Sequence, residues 1–177
     1  KTVLVGTLGR GGTGLFSLDV SSPASPSLKW ELKDTEDGNM GLVLGKPLLA
    51  KVGSGKTPAV VFGNGLNSSK NQAVLIGRNL DDGTKLFEVQ AGTEGTSAKP
   101  NGLSAVTGIY GADGQTLAYV YAGDLLGNVW KFDLTQPTPT ATKLFAAGSS
   151  QPITGGVAVA IHPATNERWI MFGTGQF

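Results

Sequence analysis

The sequence predicts an all-β fold of repeated four-stranded antiparallel blades, a β-propeller. Three observations lead there: short apolar runs rich in β-branched and aromatic residues, glycines spread along the whole chain, and a motif recurring at a near-constant interval. The 177 residues include 27 glycines, above the ordinary usage of about 7%, and their dispersal marks many turns instead of one disordered tract. With 40% hydrophobic and 15% charged residues, the chain has the make-up of a domain able to bury a core.

The strands fall in order along the chain. Residues 2–6, 15–20 and 28–32 read as the first group, and 48–52, 59–62, 73–76 and 86–89 as the second. Residues 106–110, 117–122, 129–134 and 143–146 form the third, and 157–161 and 169–172 begin a fourth. Several alternate apolar with polar residues, as in Leu28-Lys29-Trp30-Glu31-Leu32 and Trp130-Lys131-Phe132-Asp133-Leu134, a two-residue period that gives a strand one buried and one wetter face. An apolar run closed by glycine occurs four times, at 3–6, 60–63, 120–123 and 170–173, with intervals of about 50 to 60 residues. After each of the first three comes a polar turn, then a strand with Asp19, Asn79 or Asp133 near its end, then a strand containing Trp30, Phe87 or Phe145. A further strand is opened by Gly45-Lys46-Pro47, Asn101-Gly102-Leu103 or Gln151-Pro152-Ile153 before the next glycine.

One unit is therefore four strands, the blade of a propeller, with approximate blades at 1–44, 45–100 and 101–150 and the start of another at 151–177. About three blades are present where closed propellers have roughly four to eight, so the chain is expected to be a fragment of a larger propeller. Gly123, Asp124, Gly127, Trp130 and Asp133 make up the fullest copy of the repeat signature. Asp124 is expected to bond the backbone of its own turn, and Trp30, Trp130 and Trp169 to pack between blades.

Several motifs suggest chemistry and fail on context. Gly9-Arg10-Gly11-Gly12-Thr13-Gly14 matches the dinucleotide pattern, but a strand follows it, so no helix N-terminus is offered to a pyrophosphate. Gly53-Ser54-Gly55-Lys56-Thr57 looks like the end of a phosphate-binding loop, yet Ala50 stands where its first glycine belongs and Pro58 follows where a helix should start. His162 is the single histidine and there is no cysteine, which removes Cys/His metal sites and Cys–His dyads from this chain; no serine lies in a nucleophile elbow. No catalytic residue, cofactor site or metal site is expected. The net charge of +1 lacks the clustered basic surface of a nucleic-acid binder, and no run approaches the length of a membrane helix, so neither nucleic acid nor membrane insertion is expected.

Residues 121–134, Tyr121-Ala122-Gly123-Asp124-Leu125-Leu126-Gly127-Asn128-Val129-Trp130-Lys131-Phe132-Asp133-Leu134, resemble the most characteristic segment of the C-terminal domain of the PilY/PilC family of type IV pilus proteins. Leu15-Phe16-Ser17-Leu18-Asp19-Val20, Gly45-Lys46-Pro47, Val61-Phe62-Gly63-Asn64-Gly65 and Gly173-Thr174-Gly175 match that family in order, so the resemblance covers essentially the whole chain. It implies a non-enzymatic pilus biogenesis and adhesion factor, exported to the outer membrane, cell surface or pilus tip of a Gram-negative bacterium. Such a factor would promote pilus extension, counter retraction and support attachment or surface sensing, with minor pilins and host or abiotic surfaces as partners. The family implies an Asp-rich calcium loop shortly before residue 121. Here Asp113 is the single carboxylate in 110–118, a degenerate loop through which calcium control is not expected. Residues 122–133 are also similar to the repeat of quinoprotein dehydrogenases, which hold pyrroloquinoline quinone and calcium, and an outer-membrane assembly scaffold shares the same architecture. Those are the alternatives; the repeat itself reports blade packing more than catalysis.

Overall fold

The structure, a computed structural model, describes residues 1–33 and 38–175. Among the described residues, thirteen strands make up successive antiparallel meanders. The first sheet contains β1 (Val3–Thr7), β2 (Gly14–Asp19) and β3 (Ser27–Lys33). The second contains β4 (Leu48–Val52), β5 (Thr57–Gly63), β6 (Val74–Asn79) and β7 (Lys85–Gln90). The third contains β8 (Leu103–Tyr110), β9 (Leu117–Asp124), β10 (Asn128–Asp133) and β11 (Thr140–Ala146). A hairpin of β12 (Ala158–Ile161) and β13 (Arg168–Met171) follows. Each strand pairs with its sequence neighbour inside its sheet, and the helical content among the described residues is one 3-10 turn at Gly9–Gly11.

This is the antiparallel propeller architecture that the repeats predict. Strand boundaries shift by up to three residues: β8 opens at Leu103 instead of 106, and β11 at Thr140 instead of 143. Thr140 and Thr142 are β-branched residues of a kind that extends a strand without adding apolar signal. Strand β5 begins at Thr57, ahead of Pro58, because a proline near a strand's start removes a ladder donor only at its end.

The period of two decides how the sheets stack. On β5, Val60 and Phe62 join Leu15, Trp30, Leu32, Met40 and Val43 in a core between the first and second sheets. Ala59 and Val61 point the other way, into a second core with Leu103, Val106, Val120, Trp130 and Phe132. Strand β6 divides likewise, Val74 and Ile76 to the first core and Leu75 to the second. A middle strand buried on both faces therefore reads as a continuous apolar run, Ala59-Val60-Val61-Phe62, while the outer strand β11 is mostly exposed. Trp30 and Trp130 pack between sheets as expected; the Trp30 indole donates across the first seam to the Leu80 carbonyl at 3.0 Å. Trp169 differs, being 57% exposed, because among the described residues no further sheet covers its face of the β12–β13 hairpin.

Candidate functional site: polar seams and a concavity at the sheet ends

Of the four glycines that close the repeat motifs, Gly63 and Gly123 end or nearly end a strand against the next unit, whereas Gly6 faces Phe16 of its own sheet and Gly173 faces open space. A Cβ on Gly63 would collide with the carbonyl oxygens of Leu103 and Ser104, and one on Gly123 with Ile153. The residue after Gly63 and after Gly123 is a fully buried polar side chain, Asn64 and Asp124 respectively. Its role is to join sheets. The Asn64 amide donates to the carbonyls of Asn39 (2.7 Å) and Gln72 (2.8 Å), and its oxygen accepts from the Val74 N–H (3.0 Å) and from the Leu103 N–H of the next sheet (2.9 Å).

Asp124 meets donors only. One carboxylate oxygen accepts from the N–H groups of Leu126 (3.0 Å) and Asn128 (2.8 Å), closing its own turn as expected. The other accepts from the Trp130 indole (2.7 Å), the Asn128 amide (2.9 Å) and the Asn101 amide (3.1 Å). Asn101 in turn accepts from the N–H groups of Gly102 and Leu125, and its own N–H donates to Asn71 of the preceding sheet. The chemistry explains the residue choice: Asn64 must both donate and accept, whereas a carboxylate suits a site where every neighbour donates. The carbonyl of Asp124 then receives the Ile153 N–H at 2.9 Å, carrying the network to the fourth unit.

Of the signature residues, Gly123, Asp124 and Trp130 meet at this seam. Gly127 is held at φ 77° beside the carbonyls of Gly148 and Gln151. Asp133 lies apart, at the end of β10, where its carboxylate accepts from the N–H (2.9 Å) and hydroxyl (2.6 Å) of Thr135. Asp19 accepts from the Ser21 N–H and Asn79 from the Asp81 N–H in the same way, so the recurring Asp or Asn near a strand end is the acceptor of a two-residue turn. Asn64, Asn101 and Asn128 were not singled out in the sequence. The detectable signal was Asn64 following Gly63 as Asp124 follows Gly123.

At the opposite end of the strands lies the Asp113 loop. One Asp113 oxygen accepts from the N–H groups of Thr116 (2.8 Å) and Gln115 (3.0 Å), the other from the Thr116 hydroxyl (2.7 Å), and Lys56 of the β4–β5 turn stands 3.1 Å from that second oxygen. The Thr116 backbone donor, then the Thr116 hydroxyl, the Gln115 donor and Lys56, hold the Asp113 carboxyl well below the usual carboxylate range. A calcium ion needs several oxygen ligands, and among the described residues no cluster of three acidic or histidine side chains could hold a metal. Asp113 is the one carboxylate of this loop, and its oxygens are engaged by Thr116, Gln115 and Lys56. Lys56, read in the sequence only as part of a false phosphate-binding motif, supplies the positive charge. Gly9-Arg10-Gly11 forms the 3-10 turn of the first hairpin, and His162 accepts locally from the N–H groups of Ala164 and Thr165.

Back at the seam end, a concavity of about 660 Å³ opens among the β1–β2, β5–β6 and β9–β10 turns and the connections between sheets, lined by Arg10, Leu44, Leu66, Lys99, Leu125 and Leu126 among others. Every one of these segments follows the closing strand of a motif or precedes the next sheet, so the concavity is built from equivalent places in successive repeats.

Residues 1–142 match the family model described as the PilY1 beta-propeller domain. The chain belongs to the PilY1 family. A type IV pilus biogenesis factor PilY1 homolog of Xylella fastidiosa is 41% identical over 99% of this chain, and PilY1 of Pseudomonas aeruginosa strain UCBPP-PA14 is 33% identical over 99%. The crystal structure of the Pseudomonas aeruginosa PilY1 C-terminal domain superposes with a TM-score of 0.85 at 31% identity, covering 98% of this chain and 40% of that one. The chain spans 14% and 18% of the length of those two curated relatives. Within the PilY1 family fold, residues 122–133 serve blade packing through Asp124 and Trp130. No helix among the described residues is long and apolar enough to cross a membrane.

Proposed function

We propose that this chain is a non-enzymatic propeller module of a type IV pilus biogenesis protein, acting at the cell surface or pilus tip. In this reading the whole protein promotes pilus extension, counteracts retraction and supports attachment or surface sensing in association with minor pilins. The observation that carries the reading is the match along nearly the whole chain to relatives named as pilus biogenesis factors. The site chemistry supports it. The polar groups buried at the seams are spent on hydrogen bonds between blades, as in Asn64 and Asp124, and this is the work of a scaffold.

The test is genetic and uses the full-length protein. Removing residues 1–177 from the chromosomal gene is expected to abolish surface pili, and disabling the retraction motor in the same strain is expected to restore them in part. Normal piliation without the segment would refute a biogenesis role. Unchanged loss of pili when retraction is disabled would refute the anti-retraction part.

A further inference from the structure

We propose that the concavity at the seam end binds an extended peptide segment carrying acidic side chains between apolar ones. The inference goes beyond a role in pilus biogenesis and holds whichever protein supplies the peptide. Its volume of about 660 Å³ lies within the range of roughly 300 to 1,000 Å³ typical of ligand pockets. Its apolar lining comes from Leu44, Leu66, Leu125 and Leu126, with Leu44 42% exposed and therefore available for contact. A narrower cleft that shares Leu44, Leu66 and Thr154 adjoins it and adds Lys46.

Charge selects the partner. Arg10, Lys46 and Lys99 stand around these two openings, and among the described residues no carboxylate lines either one. None of the three makes an ion pair or side-chain hydrogen bond among the described residues, whereas Lys29, Lys56 and Lys143 elsewhere are matched to Asp81, Asp113 and Glu94. The chain as a whole is nearly balanced, with 14 basic and 13 acidic residues, so two unmatched cations on one leucine-lined hollow and a third on the adjoining cleft are a local excess. An apolar peptide with carboxylates would bury leucine surface and neutralise the rim together, and rim charges of this kind govern association rate and salt dependence.

The probe is a short amidated peptide alternating leucine and glutamate, labelled for fluorescence anisotropy, with an otherwise identical leucine and lysine peptide as control and the full-length protein as binder. The glutamate peptide is expected to bind at least tenfold more tightly than the lysine peptide and to weaken severalfold as salt rises. Arg10→Glu with Lys99→Glu, two exposed positions whose change leaves the cores untouched, should reverse the preference. Leu125→Ser should weaken both peptides equally. Equal binding of the two peptides, no binding of either, or indifference to the charge reversal would overturn the proposal; the pilus phenotype is not part of this readout.

Discussion

Asp124 concentrates the residue-scale argument. It is fully buried, and its two oxygens accept from Trp130, Asn101, Asn128 and Leu126 without a cation among them. Replacing it by asparagine turns one acceptor into a donor that faces other donors. Leaving such a group unsatisfied costs about 1 to 3 kcal/mol, so Asp124→Asn in the full-length domain should lower stability by about 2 to 3 kcal/mol in urea unfolding. The mirror change, Asn64→Asp, removes the donor to Asn39 and Gln72 and should destabilise comparably. The exposed acids behave differently. Thr135 donors lower the Asp133 carboxyl, Ser21 donors lower Asp19, and the Asp113 loop does the same more strongly. A depressed folded value means that the stabilisation is complete above the unfolded value of about 4 and fades as pH falls below it. Melting temperature should therefore drop on acidification below pH about 4, with Asp113→Asn reducing the slope. Since Lys56 and backbone donors already occupy Asp113, millimolar calcium should leave the melting temperature unchanged, and a rise abolished by Asp113→Ala would contradict the view that this loop is not a metal site.

At the scale of the element, the strands and the repeat were legible because period-two patterning and turn glycines are local signals. The apolar run 59–62 and the closing Gly63 announced a buried strand and its end, although Thr57 and the proline hid its first turn. What stayed hidden was the seam. Asn64 bonds Leu103 across 39 positions, and nothing local in either residue states that distance; only comparing repeats aligns Asn64 with Asp124. The glycines have the same long-range logic. A methyl group on Gly63 meets backbone oxygens of the next sheet, which cannot move aside as a flexible side chain would, whereas one on Gly11 meets nothing within 4 Å. Overpacking of this kind costs about 1 to 3 kcal/mol. Gly63→Ala should destabilise by that amount and Gly11→Ala should be near neutral, a contrast that thermal melting of the two variants in one buffer resolves.

For the whole molecule, the cores lie between sheets and not within them, so each sheet depends on its neighbours. The two end sheets present apolar surface that no further described sheet covers: Leu4 and Leu28 on the first, Trp169 and Met171 on the last, all between 45% and 61% exposed. The chain matches 40% of the related C-terminal domain, and we expect further blades of the longer protein to cover both faces. Burial of apolar area contributes about 25 cal/mol per Å², against a total stability of only about 5 to 15 kcal/mol for a domain. Two uncovered faces are therefore a large deficit. The account's central claim is that stability resides in the seams between blades. Thermal melting with light scattering, run on residues 1–177 beside the full C-terminal propeller of the same protein, tests it most directly. The prediction is a lower melting temperature and self-association for residues 1–177, against a monomeric and more stable propeller. A monodisperse monomer that melts at the same temperature as the full propeller would contradict the claim.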